Sequence, residues 1–171
     1  MAFDHKKQNV NGYTRIDSYG DSAGFMHLVS DLSNAYKSQV KSCNRGIAVV
    51  DNRFVVVQDE IETLDKPTEL TWTMVTRAAV RKLNDCTLEL TEKGKKMIFK
   101  VESNQKIKLR SVPAKSSNSY DESNDGVTLI GFETSIPALA QARYCVKLIP
   151  RNTKANLLFL IFIPVIIFLL T

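Results

Sequence analysis

Apolar and polar residues alternate along this chain in short runs broken by turn-forming residues, the period-two pattern of half-buried strands. Runs of this kind cover residues 25–32, 46–50, 53–61, 69–76, 87–91, 95–102, 106–112, 127–134 and 142–149. Asp51-Asn52 separates two β-branched runs and predicts a hairpin, since both residues tolerate positive φ better than most. Glu92-Lys93-Gly94 predicts a second turn, with Gly94 available for a left-handed position. Residues 113–125 hold four serines and two asparagines and read as a mobile loop. No segment keeps a 3.6-residue apolar period over three turns; residues 33–39 and 136–141 offer a helical turn each and no more. Eight or more short strands joined by polar turns predict an all-β fold, an antiparallel sandwich of two sheets, without fixing the strand order.

The pattern changes at the C-terminus, where residues 157–170 are apolar without a break. The organisation expected is therefore a β-sandwich over 1–150, a basic and polar linker over 151–156, and an apolar, helical tail over 157–171. As a helix the fourteen apolar residues reach about 21 Å, against roughly 30 Å of hydrocarbon core. Pro164 interrupts them, so a full span needs Ala155, a thinned bilayer, or snorkelling by Lys154. Membrane association through Leu157, Phe159, Ile161, Pro164, Phe168 and Leu170 is favoured over a buried final segment or an artefact of the gene's 3′ end. The N-terminal residues lack the apolar stretch of a secretory signal.

Charge adds a partner class. Of 171 residues, 23 are Lys or Arg and 18 Asp or Glu, a net charge of +5. Between Arg77 and Lys115 there are eleven basic residues and four acids, Asp85, Glu89, Glu92 and Glu102. Such an excess fits an anionic partner as well as it fits an ordinary solvated face. Within it, Lys106, Lys108 and Arg110 alternate with Ile107 and Leu109, which sets three cations on one face and the apolar pair toward the core. That is a design for holding sulfate or carboxylate groups. Nucleic acid is disfavoured, because Trp72 and the tyrosines are not interleaved with these cations as stacking platforms.

Candidate catalytic chemistry is sparse. His5 lies in a charged stretch and His27 in a strand, each better read as a surface or sheet-face imidazole than as a ligand. No phosphate loop, nucleophile elbow or zinc-protease motif occurs. Asp59, Glu60 and Glu62 form the densest carboxylate group, but a strand sends Asp59 to one side and the two glutamates to the other. Pairing with basic residues on a neighbouring strand is the favoured role. Cys43, Cys86 and Cys145 are odd in number and lack metal-site spacing, so neither a disulfide framework nor a zinc knuckle is expected, though one bridge and one free thiol stay open. Cys145, in an apolar run, reads as buried filler.

Arg45-Gly46-Ile47 opening a hydrophobic strand, the Asp51-Asn52 turn, and Val56-Val57-Gln58-Asp59-Glu60 follow one another in this order. With the approach through Lys6, Lys7, Gln8, Gly12 and Gly24-Phe25-Met26, this segment resembles the C-terminal β-sheet region of heparinase II/III-type polysaccharide lyases. The resemblance covers most of 6–150 and rests on structural motifs. It implies β-elimination on uronic-acid glycans such as heparin or heparan sulfate, with a tyrosine and histidines as acid and base. In the family those residues lie in a helical toroid and the early β-region, which would precede Met1 here. The family's structural zinc uses an Asn-His-Asn-Thr-type segment that His5 does not match. No catalytic, metal or cofactor role is thus carried onto this chain, which is expected to be inactive alone and to complete the sandwich beneath the cleft of an upstream catalytic region. The family is secreted or periplasmic; the tail after Pro150 departs from its usual ending. A membrane-tethered module binding anionic glycan, and a purely structural sandwich, are the other readings.

Overall fold

The alternating runs become strands, and their register shows why the alternation is there. The computed structural model describes residues 1–115 and 124–151. Twelve strands occur among them: β1 (Ala2–Phe3), β2 (Ile16–Ser22), β3 (Phe25–Asp31), β4 (Ser42–Val50), β5 (Phe54–Glu62), β6 (Thr68–Thr76), β7 (Ala79–Asn84), β8 (Thr87–Glu92), β9 (Lys95–Ser103), β10 (Lys108–Pro113), β11 (Thr128–Ile136) and β12 (Gln141–Arg151). They form two antiparallel sheets, ordered β1-β6-β11-β10 and β2-β3-β4-β5-β12-β9-β8-β7. On β12, Ala142, Tyr144, Val146 and Leu148 are buried while the residues between them are not. Their cross-strand partners Ile61 on β5 and Phe99 and Val101 on β9 are buried as well. The inner faces of both sheets thus enclose one core.

Aromatic rings join the two sheets at its centre. Trp72 of β6 lies 5.8 Å from Phe132 of β11 in a stacked arrangement and 5.9 Å from Phe99 of β9. Phe132 in turn lies 5.1 Å from Tyr144 of β12. Gly131 is required here: its φ is +154°, and a Cβ would fall 1.9 Å from the Trp72 carbonyl oxygen. The crossovers between the sheets are tied together. Buried Thr63 donates its hydroxyl to the Pro137 carbonyl at 2.6 Å and accepts from the Ala140 N–H at 3.0 Å. This pins the β5–β6 passage to the β11–β12 passage, and it satisfies polar groups that burial would otherwise leave costly.

Both predicted hairpins form. Asp51 and Asn52 have φ of 52° and 51°, as the centre of a type I′ turn requires, and Arg53 N–H closes on the Val50 carbonyl at 2.9 Å. Lys93 and Gly94 likewise sit at positive φ between Glu92 and Lys95. Residues 33–39 are a run of turns, whereas 136–141 hold no helical turn: Ile136 ends β11, Gln141 starts β12, and a two-residue turn lies between. The burial of Ile136 in the core keeps the strand extended to that point.

Three strands escaped the sequence pattern, β1, β2 and β7. All are edges, where one side of the ladder meets solvent and alternation is not enforced. β2 and β7 also carry register shifts, between Ile16 and Ser18 and between Lys82 and Asn84, and such bulges blunt an edge against pairing with other chains. No helix of the described residues is long and apolar enough to cross a membrane. The expected helical tail over 157–171 lies outside the described residues, as do 152–156 of the linker and 116–123 of the serine-rich loop; Arg151 closes β12.

Candidate functional site

Lys106 and Ile107 precede β10, and Lys108, Leu109 and Arg110 begin it. Ile107 and Leu109 pack against the core. Lys106 and Lys108 are exposed and line a cleft of about 480 Å³, with Lys82, Asp85, Cys86 and Ser103 among the other walls. The cleft opens between the edge strands of the two sheets, β10 and β7. Lys82 is already engaged by Asp85 at 2.7 Å. Arg110 does not join this group: it turns along the small sheet to Glu133 of β11, 3.5 Å away. Lys106 and Lys108 therefore remain as two exposed ammonium groups on this notch, an arrangement suited to holding an anion by charge.

The outer face of the large sheet gathers a second set of charges, from the consecutive strands β7, β8 and β9 and from the distant β12. Glu89 of β8 has a nearly buried side chain and takes Arg81 at 2.8 Å, Arg151 at 2.8 Å and Lys96 at 3.5 Å. The Arg81 hydrogen bond above all, against the opposition of burial, holds its carboxyl down to about 2. Glu102 of β9 takes Lys147 at 2.7 Å and Lys100 at 2.9 Å, and these hydrogen bonds lower its pKa as well. A smaller notch of about 320 Å³ adjoins Glu102, lined by Gln58, Ser103, Asn104, Arg143 and Cys145.

A third ionic group lies between the sheets and serves the fold. Asp59 of β5 is fully buried, and Arg45 of β4 meets it with two parallel bonds, Nε to Oδ1 at 2.7 Å and Nη2 to Oδ2 at 3.0 Å. The Trp72 indole N–H donates to Oδ2 at 2.8 Å, and the guanidinium lies 5.9 Å from the centre of that ring. Burial opposes the charge on Arg45, and the adjacent carboxylate more than offsets this, so its pKa rises. The split of the acidic triplet follows the strand period. Asp59 faces inward, while Glu62 pairs with Lys41 at 2.7 Å and Glu60 with the Gln58 amide at 2.9 Å.

Of the remaining reactive side chains, Cys43 and Tyr144 are buried, whereas His5 and Cys86 are exposed. Burial pushes the Cys43 thiol and the Tyr144 phenol each up to about 12. All three cysteines are free. Cys145 is half-buried on the outer face and not core filler, because Tyr144 and Val146 occupy the core side of β12; Cys43 is the buried one. The His27 ring lies 4.9 Å from that of Phe25 in a tilted arrangement, with Gly20 of β2 close over it, and His5 is exposed. Among the described residues no three His, Cys, Asp or Glu side chains group as a metal site.

Neither a protein-family model nor a curated protein matches the chain. Solved structures do. The heparinase III-BT4657 gene product matches at a TM-score of 0.68 and 16% identity, over 91% of this chain and 24% of that one. The heparan sulfate lyase HepC from Pedobacter heparinus matches at 0.64 and 10% identity, over 84% and 22%. HI1317 matches at 0.51 and 8% identity, over 81% and 65%. At these identities the likeness is one of fold. The chain has the fold of about a quarter of heparinase III, which fits the resemblance to the C-terminal β-sheet region of heparinase-type lyases.

Proposed function

We propose that this chain is the C-terminal β-sandwich portion of a heparinase II/III-like polysaccharide lyase. In this reading it supports the active-site cleft and holds acidic glycan by charge, while β-elimination is carried out by residues outside it. The observation that carries the reading is the fold match over 91% of the chain to a quarter of a heparinase III. The side chains support the division of labour. General acid–base chemistry on a sugar needs groups within hydrogen-bond reach of it, and Tyr144 and Cys43 are closed in the core. What the surface offers a uronate or sulfate is cations, Lys106 and Lys108 at the cleft with Arg110 further along β10.

The experiment is retention on heparin-agarose together with a lyase assay on the same preparation. The parent chain should be retained and elute with moderate salt, because charge contacts are screened, and Lys106→Gln with Lys108→Gln should elute earlier. Incubation with heparin or alginate should produce no rise in the absorbance of the unsaturated product. Clear turnover would overturn the supporting role, and absence of retention would overturn glycan binding. We further propose that the apolar run through Leu157, Phe159, Ile161, Pro164, Phe168 and Leu170 tethers the module to a membrane. Flotation of the full chain with liposomes, lost on deleting residues 157–171, tests this; flotation that survives the deletion would refute it.

A further inference from the structure

Strands β9 and β12 are neighbours in the large sheet, and on their outer face cations stand opposite cations. Lys96 is the cross-strand partner of Arg151, and Lys100 the partner of Lys147. Like charges directly opposite destabilise a sheet. Elsewhere the same sheet pairs opposite signs: Arg45 with Asp59, Arg81 with Glu89, Arg143 with Glu60. Glu89 and Glu102 offset part of the repulsion, yet five cations, counting Arg81, share these two carboxylates. Ile98 opposite Ile149 separates the two cation pairs. Four residues of strand put the pairs about 13 Å apart. A face shaped for stability alone would have alternated the signs.

We propose that this β9–β12 ladder is a second binding surface, for an extended acidic polysaccharide chain whose successive sulfate or carboxylate groups bridge the two cation pairs. It deepens the lyase reading and rests on it for the class of ligand. The carboxylates favour a glycan over a nucleic acid. Sugar hydroxyls donate to Glu102 and exchange hydrogen bonds with Gln58, Ser103 and Asn104 in the adjoining notch, whereas a phosphodiester linkage has no donor to offer. The aromatic residues of the two strands, Phe99 and Tyr144, are buried on the core face, so the ladder offers bases no ring to stack on.

The test is titration of the full chain with a heparin octasaccharide. Lys96→Gln with Lys100→Gln removes one cation from each opposed pair and leaves each carboxylate a partner. Affinity should fall roughly tenfold or more, the melting temperature should hold or rise, and K96R/K100R should bind as the parent chain does. Parent-like binding by K96Q/K100Q would overturn the ladder, and the lyase reading would stand if K106Q/K108Q alone weakens binding. A lower melting temperature in K96Q/K100Q would mark these cations as structural and equally overturn it. Duplex DNA binding as tightly as the octasaccharide would overturn the choice of partner. No binding by the parent chain would overturn the ladder together with the glycan binding proposed for the cleft, and leave the fold-based lyase reading in place.

Discussion

Replacing Arg45 by methionine tests the centre of the fold most directly. Asp59 is fully buried and accepts three hydrogen bonds, two from Arg45 and one from the Trp72 indole. Arg45→Met removes both of the first and, among the described residues, the only positive charge bonded to the carboxylate, and keeps an unbranched apolar stem of similar length. Stranding one partner of a buried ion pair costs about 3–5 kcal/mol, a large share of the roughly 5–15 kcal/mol that holds a domain together. With a urea m-value of about 2 kcal/mol/M, the midpoint should fall by roughly 2 M. Adding Asp59→Asn removes the stranded charge and keeps an oxygen that can accept from Trp72, so R45M/D59N should recover at least about 1 kcal/mol over R45M despite a second substitution. Urea unfolding followed by Trp72 fluorescence reads all the variants, the tryptophan being the only one in the chain. A midpoint shift below about 0.5 M for R45M at unchanged m-value, or a double variant weaker than R45M, would refute the claim that this pair governs stability through buried charge.

Two further outcomes follow from other parts of the sandwich. Glu89 has its carboxyl held at about 2 against an ordinary 4.5, so its contribution to stability is fully present above the ordinary value and is lost as pH falls toward 2. The melting temperature should decline over that window, and Glu89→Gln should flatten the decline while part of it persists through Glu102 and Asp4, whose pKa values are also lowered; an unchanged acid slope in E89Q would count against the cluster. Gly131→Ala should lower stability by at least about 2 kcal/mol, since a Cβ there meets the Trp72 carbonyl at 1.9 Å, and urea unfolding with a parent-like midpoint would contradict that close approach.

The sequence carried the sandwich because its central strands are buried on one face only, and period-two alternation is the direct trace of that burial. The turns were legible for a local reason: Asp51, Asn52 and Gly94 are residues that accept positive φ, although Lys93 takes it too without that tolerance. Edge strands left no such trace. In β2 and β7 nearly every side chain meets solvent, so composition there follows solubility. The ionic core was half legible. The strand period placed Asp59 opposite in direction to Glu60 and Glu62, but its partners Arg45 and Trp72 come from two other strands, one of them in the other sheet. Both charged members lie in the motifs that carried the family resemblance, Arg45 in the first half of β4 and Asp59 in the second half of β5. The resemblance was therefore keyed to a packing device, which explains how it could find the fold without supplying any catalytic residue.

Charge was the feature the sequence described least well, because a count along the chain merges residues that the fold separates. The eleven basic residues between Arg77 and Lys115 do not make one surface. Lys82, Lys106 and Lys108 go to the cleft between the sheet edges, Arg110 goes to Glu133, and Arg81, Lys96 and Lys100 go to the outer face of the large sheet. There they meet Lys147 and Arg151, which lie outside the basic stretch and are brought in by the insertion of β12 between β5 and β9. That insertion is also what sets like charges opposite one another. The topology that seats β12 beside β9 thus sets cation opposite cation, and a polyanion lying along the two strands is the kind of partner such a face accepts.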